Sequence, residues 1–134
     1  MELVYKAREG RNKADIDGTY FEIYSLLYRL GVTANYTGFF YMAYAVILCT
    51  KQPECLLLVT KWLYPEVAKQ YGTNWRAMER SIRTVNSIIW RENRPLLEEL
   101  ACRSLKQRPR SAQLLSMLAA SLAGTPFLDL RPKT

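Results

Sequence analysis

Residues 65–91 have the sequence PEVAKQYGTNWRAMERSIRTVNSIIWR, in which two helical segments flank a short polar turn. A proline opens the first segment, and proline is tolerated in the first turn of a helix because the N–H that it lacks has no partner there. Gly72 permits the turn, and Thr73 or Asn74 can cap the helix that follows. The stretch therefore predicts a short helix, a turn and a long helix over residues 75–91, the spacing of a helix-turn-helix.

The long predicted helix has two different faces. Successive residues lie about 100° apart around a helix. One apolar stripe, which we expect to face the core, then consists of Met78, Ile82, Val85 and Ile89. The opposite stripe consists of Arg76, Arg80, Arg83 and Ser87, flanked by Glu79 and Thr84. We expect this second stripe to face solvent.

The chemistry of the outer stripe suits DNA. Arginine can donate two parallel hydrogen bonds to O6 and N7 of guanine, and a carboxylate can accept from the N4 amine of cytosine. Any solvated helix face also carries charges, so this stripe alone does not distinguish a DNA-binding helix from an ordinary one. The preceding short helix and turn favour the DNA hypothesis.

Composition places the chain in a broad class. Its 134 residues carry a formal charge of +7, from 19 Lys and Arg against 12 Asp and Glu, and 49% of them are hydrophobic. A basic protein attracts nucleic acid or an anionic membrane surface. The size predicts one domain over residues 20–123, between a flexible charged N-terminal segment (1–19) and a C-terminal tail (124–134).

Periodicity outside the central stretch also predicts helices, and no segment shows sustained strand alternation. We therefore predict an all-α, compact bundle of about six or seven helices. Gly31 is placed to end the first helix, Pro53 to open the third, and Asn35 and Ser111 to cap two others. The additional helices are predicted over residues 20–30, 36–50, 53–63, 95–104 and 111–123, with an exposed basic loop at 106–110.

Several functions are not expected. The apolar run at residues 39–49 is shorter than the roughly 20 residues of a membrane span, and no apolar signal region is visible, so we expect a cytoplasmic protein without a membrane partner. Cys49, Cys55 and Cys102, without any histidine, predict reduced thiols and no metal site. No P-loop and no G-x-S-x-G motif is present, so neither an enzyme, catalytic residues nor a cofactor is expected.

Three motifs resemble a known family. They are KWLYPEVAKQY at residues 61–71, MERSIR at 78–83, and Trp90. They are similar to K-V-L-Y-P-D-I-A-K-K-F, V-E-R-A-I-R and a later Trp in the C-terminal DNA-binding effector domain of the stage-zero sporulation response regulator of endospore-forming bacteria. The resemblance covers roughly residues 20–123.

The resemblance implies a domain that binds promoter DNA. Family members generally bind as tandem copies on adjacent sites and activate or repress transcription, which implies a weak homodimer on DNA and RNA polymerase as a further partner. The family usually carries a receiver domain in front. Because only about 19 residues precede the first predicted helix here, we expect phosphorylation control in cis to be absent.

The resemblance also implies site residues. Glu79, Arg80 and Arg83 match positions that meet bases or phosphates in the family. Ala77 stands where the family usually has Arg, and the arginine is displaced to Arg76, which turns the side chain by about 100°. Candidate phosphate contacts near the turn and at the far end of the helix are Lys69, Thr73, Asn74, Arg91 and Arg94.

Two alternatives remain at this point. Ala77 motivates the hypothesis of a protein-interaction module that modulates a related full-length regulator with little or no base readout of its own. Trp75, bulkier than the family's usual small residue, can either cover the turn or stack on a sugar. RNA is a poorer partner than DNA for a rigid helix, because the major groove of A-form RNA is too narrow.

Overall fold

The computed structural model describes residues 13–124, and this part of the chain contains helices and turns but no strand. The α-helices are α1 (Lys13–Arg29), α2 (Thr37–Lys51), α3 (Tyr64–Gln70), α4 (Trp75–Glu92), α5 (Arg94–Ala101) and α6 (Ser111–Ala123). A 3-10 turn (Pro53–Leu57) and a π-helical turn (Val59–Leu63) connect α2 to α3. The prediction of an all-α bundle is confirmed.

Helix α2 lies at the centre of the bundle. Its residues 42–49 are all buried, and it packs against α1, α4 and α6. Gly38 lies in the first turn of α2, where a Cβ atom would come 2.6 Å from the carbonyl oxygen of Ser81 and 2.6 Å from Cγ2 of Val85. The backbones of α2 and α4 therefore approach closely at this point, and α4 is held against the core.

Helix α1 begins earlier than predicted and ends where predicted. It starts at Lys13 rather than at residue 20, because helical hydrogen bonding continues past the buried apolar stripe that signalled the helix. Gly31 has φ +99°, and the N–H of Val32 donates to the carbonyl of Leu27 at 2.9 Å, which closes the helix. Residues 1–12 of the predicted N-terminal segment and 125–134 of the predicted tail lie outside the described residues.

Two predicted N-caps are wrong. Tyr36, not Asn35, precedes the first residue of α2, and its side chain makes no capping hydrogen bond. Ser111 is the first residue of α6 rather than its cap, and the Gln113 side chain accepts from the N–H of Arg110 at 3.1 Å. Burial of α2 within the core stabilises its start without a polar cap, a tertiary effect that local sequence does not show.

The single helix predicted at residues 53–63 is also wrong. Leu58, with φ −131° and ψ 44°, separates the two turns. Its carbonyl accepts from the N–H groups of both Trp62 and Leu63, at 2.8 and 3.1 Å. This wide turn buries Leu63 at the start of α3, so the break determines how the helix-turn-helix joins the core.

Helix α5 is shorter than the predicted 95–104. It ends at Ala101, because Cys102 adopts the left-handed conformation with φ 60°. The N–H groups of Cys102 and Arg103 donate to the carbonyls of Glu99 and Glu98 at 3.1 and 3.2 Å, which closes the helix. The following segment is mostly exposed, as predicted, although Leu105 and Pro109 are buried.

Candidate nucleic-acid interface

The turn between α3 and α4 is ordered by its own backbone. Gly72 has φ +65°, and the N–H of Thr73 donates to the carbonyl of Ala68 at 2.9 Å. Asn74 caps α4, since its Oδ1 accepts from the N–H of Ala77 at 2.9 Å. Thr73 is half-buried and Asn74 is exposed with its oxygen occupied, so the cap, one of the two roles predicted for Asn74, is the one present here.

Helix α4 is anchored by the predicted apolar stripe. Its four members are completely buried: Met78, Ile82, Val85 and Ile89. Burial of one such side chain is worth about 1.5–3 kcal/mol, so the rotation of α4 about its axis is strongly determined. The opposite stripe must then face away from the core.

The outer face of α4 carries exposed arginines. Arg76, Arg80 and Arg83 are all exposed, on the side opposite the buried stripe. None of the described residues forms an ion pair or hydrogen bond with the Arg80 guanidinium. Its whole fork is therefore available for an external acceptor.

Arg83 is paired with Glu79. Arg83 Nη2 lies 2.6 Å from both carboxylate oxygens of Glu79, with side-chain exposures of 56% for Arg83 and 37% for Glu79. Such a pair one turn apart on a solvated helix contributes only about 0.3–0.5 kcal/mol. The pair orients both groups and can be exchanged for outside contacts at small cost.

Trp75 and Arg76 form a second unit at the start of α4. The Arg76 guanidinium carbon lies 5.3 Å from the centroid of the Trp75 ring, within the range of a cation–π contact. Trp75 is 41% exposed. Part of this residue is therefore accessible to solvent beside the arginine, and the rest is covered. Lys69, in the last turn of α3, is also exposed on the approach to this end of α4.

At the C-terminal end of α4 and the start of α5, the arginine side chains have more partners within the fold. Arg94 lies 4.2 Å from the centroid of the Trp90 ring and donates to the carbonyl of Leu105 and to Glu98 Oε2. Arg91 is exposed, and its hydrogen bond to Glu92, at 2.9 Å, together with the charge of that carboxylate, raises the pKa of the guanidinium. Of the two arginines, Arg94 is largely occupied in holding the segment after α5.

The segment after α5 is fixed by a second set of contacts. Glu98 Oε2 accepts from the N–H of Leu105 at 2.8 Å, and this hydrogen bond, with Arg94, lowers the pKa of Glu98 below its usual value.

Tyr64, the first residue of α3, is buried, which raises the pKa of its phenol, and it forms a hydrogen bond with Ser111. Helix α6 thereby braces the start of the helix-turn-helix.

One basic residue of this surface was not among the predicted contacts. Arg108 Nη1 donates to the hydroxyl of Ser87, which is half-buried at the end of the outer stripe of α4. The basic composition of residues 106–110 signalled an exposed loop. Nothing in the spacing indicates that this loop returns to α4, because the two residues are 21 positions apart.

Among residues 13–124, His, Cys, Asp and Glu form no group of three that could hold a metal ion. The helices of this described part are too short or too polar to cross a membrane.

Helix α4 has one buried face and one face with exposed arginines, and it follows a short helix and a turn that contains glycine. This arrangement is typical of the helix-turn-helix class of DNA-binding domains. Residues 23–122 match the family model described as sporulation initiation factor Spo0A C terminal. The chain belongs to this family, whose members are DNA-binding effector domains of transcription factors and not enzymes. The resemblance predicted from the motifs is confirmed.

Proposed function

We propose that this DNA-binding regulator recognises a specific double-stranded DNA sequence by placing α4 in the major groove. The observation that carries the proposal is the exposure of Arg76, Arg80 and Arg83 on one face of a helix whose other face is buried. The major groove is about 12 Å wide and admits one α-helix. Direct readout of base edges then falls to the side chains of this face.

The geometry supports different roles for these side chains. Arg80 has a free fork and is the candidate for bidentate bonding to guanine. Glu79 and Arg83 approach together, so the carboxylate either accepts from cytosine or keeps Arg83 directed at its acceptor. Arg76, stacked on Trp75, and Lys69 lie at the start of the helix and fit phosphate contacts.

The remaining predicted contacts and partners are also part of the proposal. Thr73, Ser87 and Arg91 lie at the turn and the far end of α4, where backbone contacts occur, whereas Asn74 and Arg94 act mainly within the fold. Binding to chromosomal promoter DNA places the protein in the cytoplasm. Tandem sites would bring two copies together as a weak homodimer, with RNA polymerase as a neighbouring partner.

The first test is selection of binding sites from random duplexes at about 150 mM salt. We expect one preferred sequence to emerge. Arg80→Ala should then weaken binding to that sequence by about 1–3 kcal/mol, or roughly 5- to 150-fold. Arg29→Ala is the matched control, because it removes the same charge from an exposed position at the end of α1. Equal effects of the two substitutions on affinity and selectivity would reject α4 as the reading element.

A second candidate function is modulation of a related full-length regulator through protein contacts. Besides Ala77, it is favoured by exposed apolar side chains between α2 and α3, where Leu57 is 70% and Leu58 50% exposed. Co-elution with such a regulator, together with a selection that yields no preferred duplex, would favour this candidate over direct readout.

A further inference from the structure

The basic loop at residues 106–110 is attached to α4 by a buried hydrogen bond. Pro109 is buried, and its carbonyl accepts from Nδ2 of Asn86 at 2.8 Å. Asn86 lies on α4 and is only 2% exposed. A fully desolvated amide contact of this kind determines where the loop lies, because breaking it would leave a buried donor without a partner.

Asn86 is an unfavourable residue for its position unless it has this task. It lies beside the buried apolar stripe, and its Oδ1 has no hydrogen-bond partner among the described residues. A buried polar atom without a partner costs free energy that an apolar side chain would avoid. The contact with Pro109 is the interaction that an apolar residue would lose.

The attached loop brings a guanidinium to the outer stripe of α4. Arg108 donates to the Ser87 hydroxyl, and Ser87 follows Arg76, Arg80 and Arg83 at steps of four, three and four. Ser87 itself is neutral and short. The loop therefore supplies a cation at the one position of this stripe where the helix has none, between Arg83 and Arg91.

We propose that Arg108 is an additional cation of the DNA-binding face, which contacts a backbone phosphate at the flank of the bound site, and that Asn86 is its positioning residue. This inference rests on the proposed function of α4. The N-terminal residues of a recognition helix contact the base edges, and from Arg76 to Ser87 the helix rises about 16 Å. Arg108, at the C-terminal part of α4, is therefore placed for the sugar-phosphate backbone rather than for base edges.

The donor count of Arg108 fits such a role. A guanidinium has five N–H donors, and the hydrogen bond to Ser87 uses one nitrogen, Nη1. The other donors remain on an exposed side chain. The serine therefore orients the fork without neutralising it, and the positive charge stays available for a phosphate.

The test compares salt dependence of DNA binding between matched variants. Each neutralised phosphate contributes about 0.9 to the slope of log K against log salt concentration. Arg108→Gln should reduce the magnitude of the slope by about this amount and weaken binding equally on the selected duplex and on an unrelated one. Lys106→Gln is the control, because it removes one exposed charge from the same loop at a residue that forms no hydrogen bond or ion pair with the described residues. An unchanged slope for Arg108→Gln, or an equal change for Lys106→Gln, would overturn the assignment.

The positioning role of Asn86 has a separate readout. Asn86→Leu keeps the branched shape and the number of side-chain heavy atoms and removes the amide, so we expect the fold to persist while the magnitude of the slope falls as it does in Arg108→Gln. The double variant, Asn86→Leu with Arg108→Gln, should show no further decrease in the magnitude of the slope. A slope for Asn86→Leu equal to that of the unmodified protein would remove the positioning role. Loss of thermal stability in Arg108→Gln without a change in slope would assign that arginine to the fold instead.

Failure of this inference differs from failure of the proposed function. If Arg80→Ala abolishes sequence preference while Arg108→Gln binds as before, α4 reads DNA and only the loop assignment falls. If neither substitution changes binding, the proposed function itself is wrong.

Discussion

At the scale of single residues, arginines with the same charge differ in how free their guanidinium groups are to bind DNA. The Arg80 guanidinium has no hydrogen-bond or ion-pair partner among the described residues, the Arg83 guanidinium is paired with Glu79, and Arg94 contacts Trp90 and the segment after α5. All three are arginines of α4 or α5 and are exposed to some degree. Their neighbours decide which of them can meet DNA without first breaking a contact.

Cys102 is a residue under local backbone strain. It has φ 60° at the end of α5, a conformation that costs a residue with a Cβ about 1–2 kcal/mol. Cys102→Gly removes that cost but adds flexibility to the unfolded chain, so we expect a net gain of about 0.5–1 kcal/mol in the free energy of unfolding. Urea denaturation measures it.

Cys102→Ala is the matched control for this prediction. It removes the exposed thiol and keeps the Cβ, so its stability should stay within about 0.5 kcal/mol of the unmodified protein. If alanine stabilises as much as glycine, the thiol and not the backbone conformation is the cause.

At the scale of helices, the ends depend on different interactions. Helix α4 begins at a side-chain cap and α1 ends at a glycine, and both were predictable because the relevant residues are adjacent in sequence. The start of α2 and the break at Leu58 were not predictable. The start of α2 depends on burial against other helices, and the break at Leu58 precedes the buried Leu63. A pattern within one segment does not contain contacts with the rest of the core.

The cap of α4 can be tested by substitution. Asn74→Ala removes the acceptor for the Ala77 N–H and should destabilise the protein by about 0.5–2 kcal/mol. Thermal or urea denaturation measures the loss. Asn74→Asp keeps the acceptor, and its negative charge interacts favourably with the positive end of the helix dipole. The stability of this variant should therefore match or exceed that of the unmodified protein.

The same pair of variants separates capping from phosphate contact. A phosphate next to residue 74 would repel the new carboxylate, so DNA affinity would fall in Asn74→Asp despite the retained stability. If affinity is kept and stability falls only in Asn74→Ala, Asn74 is a cap and not a DNA contact.

At the scale of the whole molecule, α2 holds the DNA-binding helix in place. The close approach at Gly38 leaves no room for a Cβ, which would lie 2.6 Å from a backbone oxygen and from Val85 Cγ2. Gly38→Ala should therefore push α2 and α4 apart and destabilise the protein by about 1–3 kcal/mol. Because α4 moves with its buried face, DNA affinity should fall as well.

Gly18→Ala is the control with the opposite sign. Gly18 lies within α1 and has no atom within 4 Å of a new Cβ. Alanine should stabilise a helix interior there by about 0.5–1 kcal/mol. Stabilisation by both substitutions in thermal denaturation would show that the α2–α4 contact is looser than the distances indicate.

The amino-acid sequence by itself determined the helical class, the helix-turn-helix and the two faces of α4. These features depend on backbone preferences at single positions and on a repeat of 3.6 residues, both of which are local. Only the tertiary structure decided that Arg108 meets Ser87 and that Arg94 binds the segment after α5. Contacts between distant residues form when several helices pack together, and packing depends on the shapes of all the side chains that fill the core.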